Sequence, residues 1–159
     1  MAEWTEFRHY SPSEILLVYD SEHDIHFKPR GIYFARGDAW WDWTMNSGFS
    51  PHIYTHKYDF DPHTPPLNIL KLDEQNVLNV QKQYNVDTTI SLFGSLNWPK
   101  LAETYDGVYI GERLIQSYDP KLMLYHAYDV ETLVVWSSKL QLIDAGPVVY
   151  PDYQFLDEL

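Results

Sequence analysis

The run Gly31-Ile32-Tyr33-Phe34-Ala35 is the strongest constraint on how this chain folds, because Pro29 precedes it and Gly37 follows it. A compact run with aromatic and β-branched residues at Ile32, Tyr33 and Phe34, set between two backbone breakers, reads as a short buried strand. Asp38 then stands where a helix N-cap belongs, and Ala39, Trp40, Trp41, Trp43 and Met45 lead to Gly48, a good C-terminal stop. That spacing predicts about ten residues of helix directly after the strand.

The flanking sequence is read in the same way. Trp4 to His9 is expected to be a first strand ending at the turn signal Ser11-Pro12-Ser13. Glu14 to Tyr19 is apolar and fits helix or strand, and Asp20 to Pro29 is expected to be a loop. His52 to Phe60 alternates as a half-buried strand does, and the proline-rich stretch from Asp61 to Pro66 cannot be helical. A further strand is expected over Leu67 to Leu72, then a helix capped by Asp73 with Val77, Val80 and Tyr84 on one face. Asn85 to Ser95 is turn-rich. Pro99 suits the first turn of a short helix through Ala102, and Asp106-Gly107 enters a strand at Val108 to Ile110. Leu122 to Ala127 and Thr132 to Trp136 read as strands, and the acidic tail from about Pro147 is expected to be loose.

Strands and helices are interspersed without the regular alternation of a doubly wound sheet, so the expected class is α+β with mostly antiparallel strands. A length of 159 residues fits one domain over 1–159. The 45% hydrophobic and 16% aromatic content, with six Trp and thirteen Tyr, is ample for a core and excludes bulk disorder. No apolar stretch approaches a membrane span, and the N-terminus lacks a signal-peptide layout, so a cytoplasmic setting is expected and membrane association is not. With no cysteine, thiolate catalysis and zinc-cysteine sites drop out.

A formal net charge of −12 repels phosphates, which argues against duplex nucleic acid as a partner. It fits a solubilising surface, or one that meets a basic protein. Phosphate-cradling, dinucleotide-binding, nucleophile-elbow and His-Glu-x-x-His motifs are all absent. His23 with His26, and His52 with His56, do not complete a metal site, so none is expected.

Three ordered segments carry a resemblance. Phe7-Arg8-His9-Tyr10-Ser11 looks like the histidine turn that opens the ADP-ribosyltransferase fold. Gly31-Ile32-Tyr33-Phe34-Ala35 is identical to a strand of the poly(ADP-ribose) polymerase branch of that fold. Glu131-Thr-Leu-Val-Val-Trp136 is similar to that branch's Glu-Tyr-x-Val-Tyr strand, with Leu140 and Leu142 at the family's nine- and eleven-residue spacings. The sequence thus resembles the His-Tyr-Glu branch of the ADP-ribosyltransferases. That implies a mostly antiparallel two-sheet core with a few short helices, NAD as the substrate cofactor and a macromolecular acceptor, chiefly protein.

By the same resemblance His9 binds the adenosine-side ribose, Tyr33 packs on the nicotinamide ring and Glu131 stabilises the oxocarbenium-like ribose as the glycosidic bond breaks. Tyr10, Ser11, Gly31 and Phe34 would lie along the NAD, and Trp40 or Trp43 would close the ring sandwich. A carboxylate hydrogen-bonded to the ribose hydroxyl is the group that chemistry needs. Two departures stand out: Tyr10 replaces the polymerase branch's glycine, and no Arg-turn-Ser-Thr-Ser element precedes the glutamate. Simpler readings accompany each assignment. His9 can satisfy a strand end, Tyr33 can be core, the tryptophans can pack helix on sheet, and Glu131 can be a structural carboxylate at a strand start, with Asp129 as the alternative acid.

Lys28-Pro29-Arg30-Gly31, Tyr105-Asp106-Gly107 and Trp136 also resemble segments of small bacteriophage proteins, which implies a viral or mobile-element source. The leading expectation is ADP-ribose transfer. The alternatives are a non-catalytic acidic protein that blocks a basic site on a host or defence protein, and an NAD glycohydrolase using the same residues with water as acceptor.

Overall fold

A computed structural model describes residues 3–23, 28–47, 53–84 and 96–150, the side chains of 121, 123 and 124 excepted. The architecture is α+β. Strands β1 (Phe7–Ser11), β2 (Ile32–Arg36), β3 (His56–Phe60), β4 (Ile69–Leu72), β5 (Gly107–Ile110), β6 (Thr132–Val135) and β7 (Leu142–Pro147) form a seven-stranded sheet in the order β4-β5-β6-β2-β1-β3-β7. Only the β4–β5 pair is parallel, and the connection between these strands carries helices α2 (Val77–Gln83) and α3 (Trp98–Ala102). A parallel pair needs such a crossover, whereas the other neighbours are antiparallel.

The expected strand-then-helix unit is present. β2 is followed by α1 (Ala39–Ser47). Gly31 leads into β2 at a φ of +150°, and a Cβ there would lie 2.6 Å from the Val135 carbonyl oxygen, so only glycine allows this approach of β2 to β6. Asp38 stands directly ahead of α1, but its carboxylate accepts from Tyr10 Oη at 2.6 Å and Arg8 Nη1 at 2.9 Å. Through these bonds the Asp38 side chain ties the start of the helix to β1.

Three expectations change. The first strand starts at Phe7, not Trp4, because residues 3–6 form a turn. Leu122 to Ala127 is not a strand but part of a 3₁₀ helix, Pro120–Tyr128. Among its described side chains Leu122, Tyr125 and Tyr128 are buried, and their spacing of three is the 3₁₀ period. Asp73 does not cap α2 directly; its carboxylate accepts from the Gln75 and Asn76 amides and holds the turn just before the helix. β7 and the short helix α4 (Glu112–Ile115) were not anticipated. Glu14 to Tyr19 runs without regular structure, with Leu16, Leu17 and Tyr19 exposed. Gly48 and the turn-rich stretch 85–95 lie outside the described residues. Of the tail expected to loosen from Pro147, Val148 N donates to Thr55 O at 3.0 Å and Tyr150 Oη to Tyr54 O at 2.5 Å; residues 151–159 lie outside the description.

Both faces of the sheet are packed. Val108 and Val134 face the helices, against Trp98, Leu101, Leu114 and Tyr125. Leu133 and Val135 turn the other way, by strand alternation, onto Phe7, Phe34, Phe60 and Leu140. On that side Phe7 of β1 meets Tyr109 of β5 with ring centroids 6.3 Å apart. Strands β2 and β6 lie between them in the sheet, and neighbouring strands are spaced at roughly 4.8 Å, so a flat sheet would hold these strands well over twice as far apart. The sheet is therefore strongly curled, with aromatic rings filling its concave side. Among the described residues no helix is long and apolar enough to cross a membrane.

Candidate functional site

The centre of the sheet is where it is least complete. β1 pairs with β3 over Arg8 to Ser11, and β2 pairs with β6 over Ile32 to Ala35, four residue pairs each. Between β1 and β2 only Phe7↔Arg36 and Arg8↔Ala35 are in register. Beyond them the strands part, each following its outer neighbour. His9 spans the gap: its Nδ1–H donates to the Tyr33 carbonyl oxygen at 2.6 Å, a side chain doing the work of a ladder bond. That bond fixes the tautomer and leaves Nε2 as an acceptor. Burial holds the imidazole pKa below its ordinary value, against the backbone bond, so the neutral ring is favoured.

A cavity of about 330 Å³ opens at this split, at the lower end of the roughly 300–1,000 Å³ range of small-molecule sites. His9 and Tyr10 from β1 and Tyr33 and Phe34 from β2 line it, together with Trp40 of α1. Trp40 Nε1 donates to Tyr54 Oη at 3.1 Å, which fixes the indole against that wall. The Tyr33 hydroxyl donates to the Pro29 carbonyl, and burial raises its pKa, so the phenol stays neutral.

Other expected contacts lie behind or beside the cavity. Trp43 does not line it but stacks on Trp40 at 5.2 Å, and Trp41 stacks on Tyr10 at 5.4 Å. Ser11 is buried and donates to Ser13 O at 2.6 Å, closing the turn after β1. Gly31 is the close-approach point against Val135.

Glu131 is not brought to the cavity. Its neighbours Val130 and Thr132 are in the wall, and strand alternation turns Glu131 away from them. Arg36 Nε and Nη2 bind its two carboxylate oxygens at 3.0 and 3.3 Å, and the Tyr109 hydroxyl donates to Oε2. This pair continues the β2–β6 register one step past Ala35↔Thr132. Burial opposes ionisation of Glu131, but the bonds from Arg36 and Tyr109 outweigh it and keep the carboxyl below its ordinary range. The same contact, after burial, pushes the Tyr109 phenol up to about 12. The alternative acid, Asp129, is exposed with a φ of +67°, a left-handed conformation that few non-glycine residues adopt. Burial shifts its carboxyl upward, with Lys28 opposing.

Lys28, Tyr54, Tyr128, Val130 and Thr132 also line it, with Arg8, Pro12 and Ala35, and the sequence reading assigned none of them to the site. Lys28 carried a usable signal: a cation beside Pro29, three residues ahead of an aromatic strand, in a strongly acidic chain. Tyr128 directly follows the segment Leu122 to Ala127 expected as a strand, and nothing local marks it as part of the wall. Among the described residues no group of three His, Asp or Glu converges as a metal site. His56 Nδ1 is 2.7 Å from Thr55 Oγ1 and His23 packs edge-on against Trp136, while His26 and His52 lie outside the description. Comparisons with protein-family models, curated proteins and solved structures give no match.

Proposed function

We propose that the cavity between β1 and β2 is an NAD-binding cleft and that the protein transfers ADP-ribose to a macromolecular acceptor, chiefly protein. One observation carries this reading: two residues taken from separate sequence segments, His9 and Tyr33, meet in one cavity at a break in the sheet. Aromatic walls suit a nicotinamide ring, and the neutral His9 offers Nε2 to a ribose hydroxyl. The two-sheet core of the ADP-ribosyltransferases belongs to the same reading, with β1-β3-β7 and β2-β6-β5-β4 as the two halves that part at the cleft.

In this reading Glu131 stabilises the ribosyl oxocarbenium. To do so its carboxylate must leave both Arg36 and Tyr109 and turn towards the cavity to meet the substrate ribose. NAD titration and nicotinamide release test the function directly. His9→Ala should weaken NAD binding by about tenfold, the order expected for one buried hydrogen bond. Glu131→Gln should leave NAD affinity within a few-fold and lower nicotinamide release by 100-fold or more, on the order of one preorganised electrostatic contact in a transition state. Full release by Glu131→Gln would remove Glu131 from the mechanism, and absence of NAD binding would remove the function.

The Arg36–Glu131–Tyr109 cluster favours a second reading, a non-catalytic protein on the same fold that uses its acidic surface against a basic partner. Such binding should weaken steeply with salt and survive His9→Ala and Glu131→Gln. If NAD is cleaved, a mass increment of ADP-ribose on an acceptor separates transfer from hydrolysis.

A further inference from the structure

The two faces of Trp40 meet different surroundings. Trp43 stacks on one, with ring centroids 5.2 Å apart and planes 15° from parallel, and Trp43 is not in the cavity wall. Trp40 itself lines the cavity, so its opposite face is the one on which a planar ring can stack. The indole N–H lies in the plane of the rings and donates to Tyr54 Oη at 3.1 Å. Tyr54 is in the same wall, so its hydroxyl stands at the edge of the stacking platform.

The chain around Tyr54 is held in place. Thr55 N donates to Ser11 O at 2.9 Å, Val148 N donates to Thr55 O at 3.0 Å, and Tyr150 Oη donates to Tyr54 O. A phenol that accepts one bond still has its own proton to donate, and Tyr54 Oη makes no other hydrogen bond among the described residues. Accepting the indole N–H also polarises that O–H and strengthens it as a donor. The other hydroxyls of the wall are committed or shut in. Tyr10 donates to Asp38, Tyr33 to Pro29 O and Thr132 to Val130 O, and the Tyr128 hydroxyl is itself buried. Tyr54 therefore carries the hydroxyl proton that a ligand in this cavity can use.

We infer that Tyr54 determines which ring the cavity accepts: a planar ring stacked on Trp40 is selected when a carbonyl at its edge accepts the Tyr54 O–H. This rests on the NAD-cleft reading, in which that acceptor is the carboxamide oxygen of the nicotinamide. Tyr54 acts on binding and takes no part in breaking a bond, and Trp40 is both its platform and its positioning residue.

The test is calorimetric titration of the full chain with NAD, its 3-acetylpyridine analogue and its thionicotinamide analogue. The first analogue keeps the carbonyl and loses the amide N–H, whereas the thiocarbonyl of the second is the poorer acceptor. NAD and the acetylpyridine analogue should bind within about twofold of each other, and the thionicotinamide analogue about fivefold more weakly. Tyr54→Phe should bring the first two to the level of the third and leave the third unchanged. Trp40→Phe breaks the same Trp40–Tyr54 bond but keeps the Tyr54 hydroxyl, so the carbonyl preference should survive there even as all three bind more weakly. A bond that merely staples α1 to Tyr54 would make the two variants alike. The parent's own ranking of the three ligands keeps the test decisive should Tyr54→Phe fail to fold. Equal binding of all three by the parent, a preference that survives Tyr54→Phe, or one lost equally in both variants would overturn the inference. NAD cleavage without the carbonyl preference sinks this inference alone. A Tyr54-dependent preference in a protein that never releases nicotinamide sinks the transferase reading alone, and binding of none of the three overturns both.

Discussion

Arg36 grips Glu131 through both carboxylate oxygens while its third nitrogen reaches Glu6 Oε2 at 2.6 Å. Arg36 is half exposed, at 47%, so solvent screening limits the pair to about 1 kcal/mol of coupling. A double-mutant cycle of Arg36→Met and Glu131→Gln, followed by denaturant unfolding, should find that coupling at pH 7. The folded-state carboxyl lies below its ordinary value, so the stabilisation is complete above the ordinary carboxylate range and is lost as pH falls through the folded value. Coupling that stays constant down to pH 3 would disprove the ionic account. For His9 the lowered pKa has a different consequence: stability should decline as pH drops below the ordinary histidine range, by at most about 1.4 kcal/mol per pH unit, and His9→Gln should flatten that slope. Gly31→Ala would drive a Cβ into the Val135 carbonyl and should cost about 2 kcal/mol or more in denaturant titrations. His9 and Tyr33 could be singled out from sequence because each sits in a short recognisable run. The partner of Glu131 could not, because Arg36 reaches it only through the β2–β6 register, 95 residues away in the chain.

At the scale of elements, local punctuation was the legible part. Pro29 and Gly37 bracket β2, Asp106-Gly107 opens β5, and Pro99 stands at the start of α3. The cap of α3 is Asn97, whose side chain accepts from Lys100 N at 3.2 Å and so sets Trp98 and Leu101 into the helix-side core. Asn97→Ala should therefore lower stability by about 1 kcal/mol in thermal or chemical unfolding, and an unchanged midpoint would show the cap to be idle. Illegible elements have a physical reason in each case. β7 contains Gly146 and Pro147, which read as loop residues, yet it lies at the edge of the sheet, where a missing donor is tolerated. Leu122 to Ala127 invites a strand reading through Leu122, Leu124 and Tyr125, whereas burial of Leu122, Tyr125 and Tyr128 at a spacing of three is the 3₁₀ period. The parting of β1 from β2 is set by pairing with β3 and β6, and no local signal encodes it.

Across the whole molecule, 23 acidic residues face 11 basic ones, and this imbalance should make the fold more stable as salt screens self-repulsion. Tm is expected to rise between roughly 10 and 150 mM salt, across which the Debye length shrinks from about 30 Å to about 8 Å. A Tm that falls over that range would mean that the ion pairs outweigh the net charge. The curled sheet has a mechanical consequence as well. Most sheets fray from their rims, but here the pairing with the fewest residues in register runs through the middle: two residue pairs, the Gly37 N–Glu6 O bond beside them, one imidazole and the side-chain bonds of Asp38 and Arg36. If that join opens first, the strands on its two sides, β1-β3-β7 and β2-β6-β5-β4, move as two leaves on a hinge, which hydrogen exchange tests. Amides flanking that hinge should exchange with deuterium earlier than those of β5 and β6, and a ligand wedged between the leaves should act as a latch, slowing exchange at both leaves together.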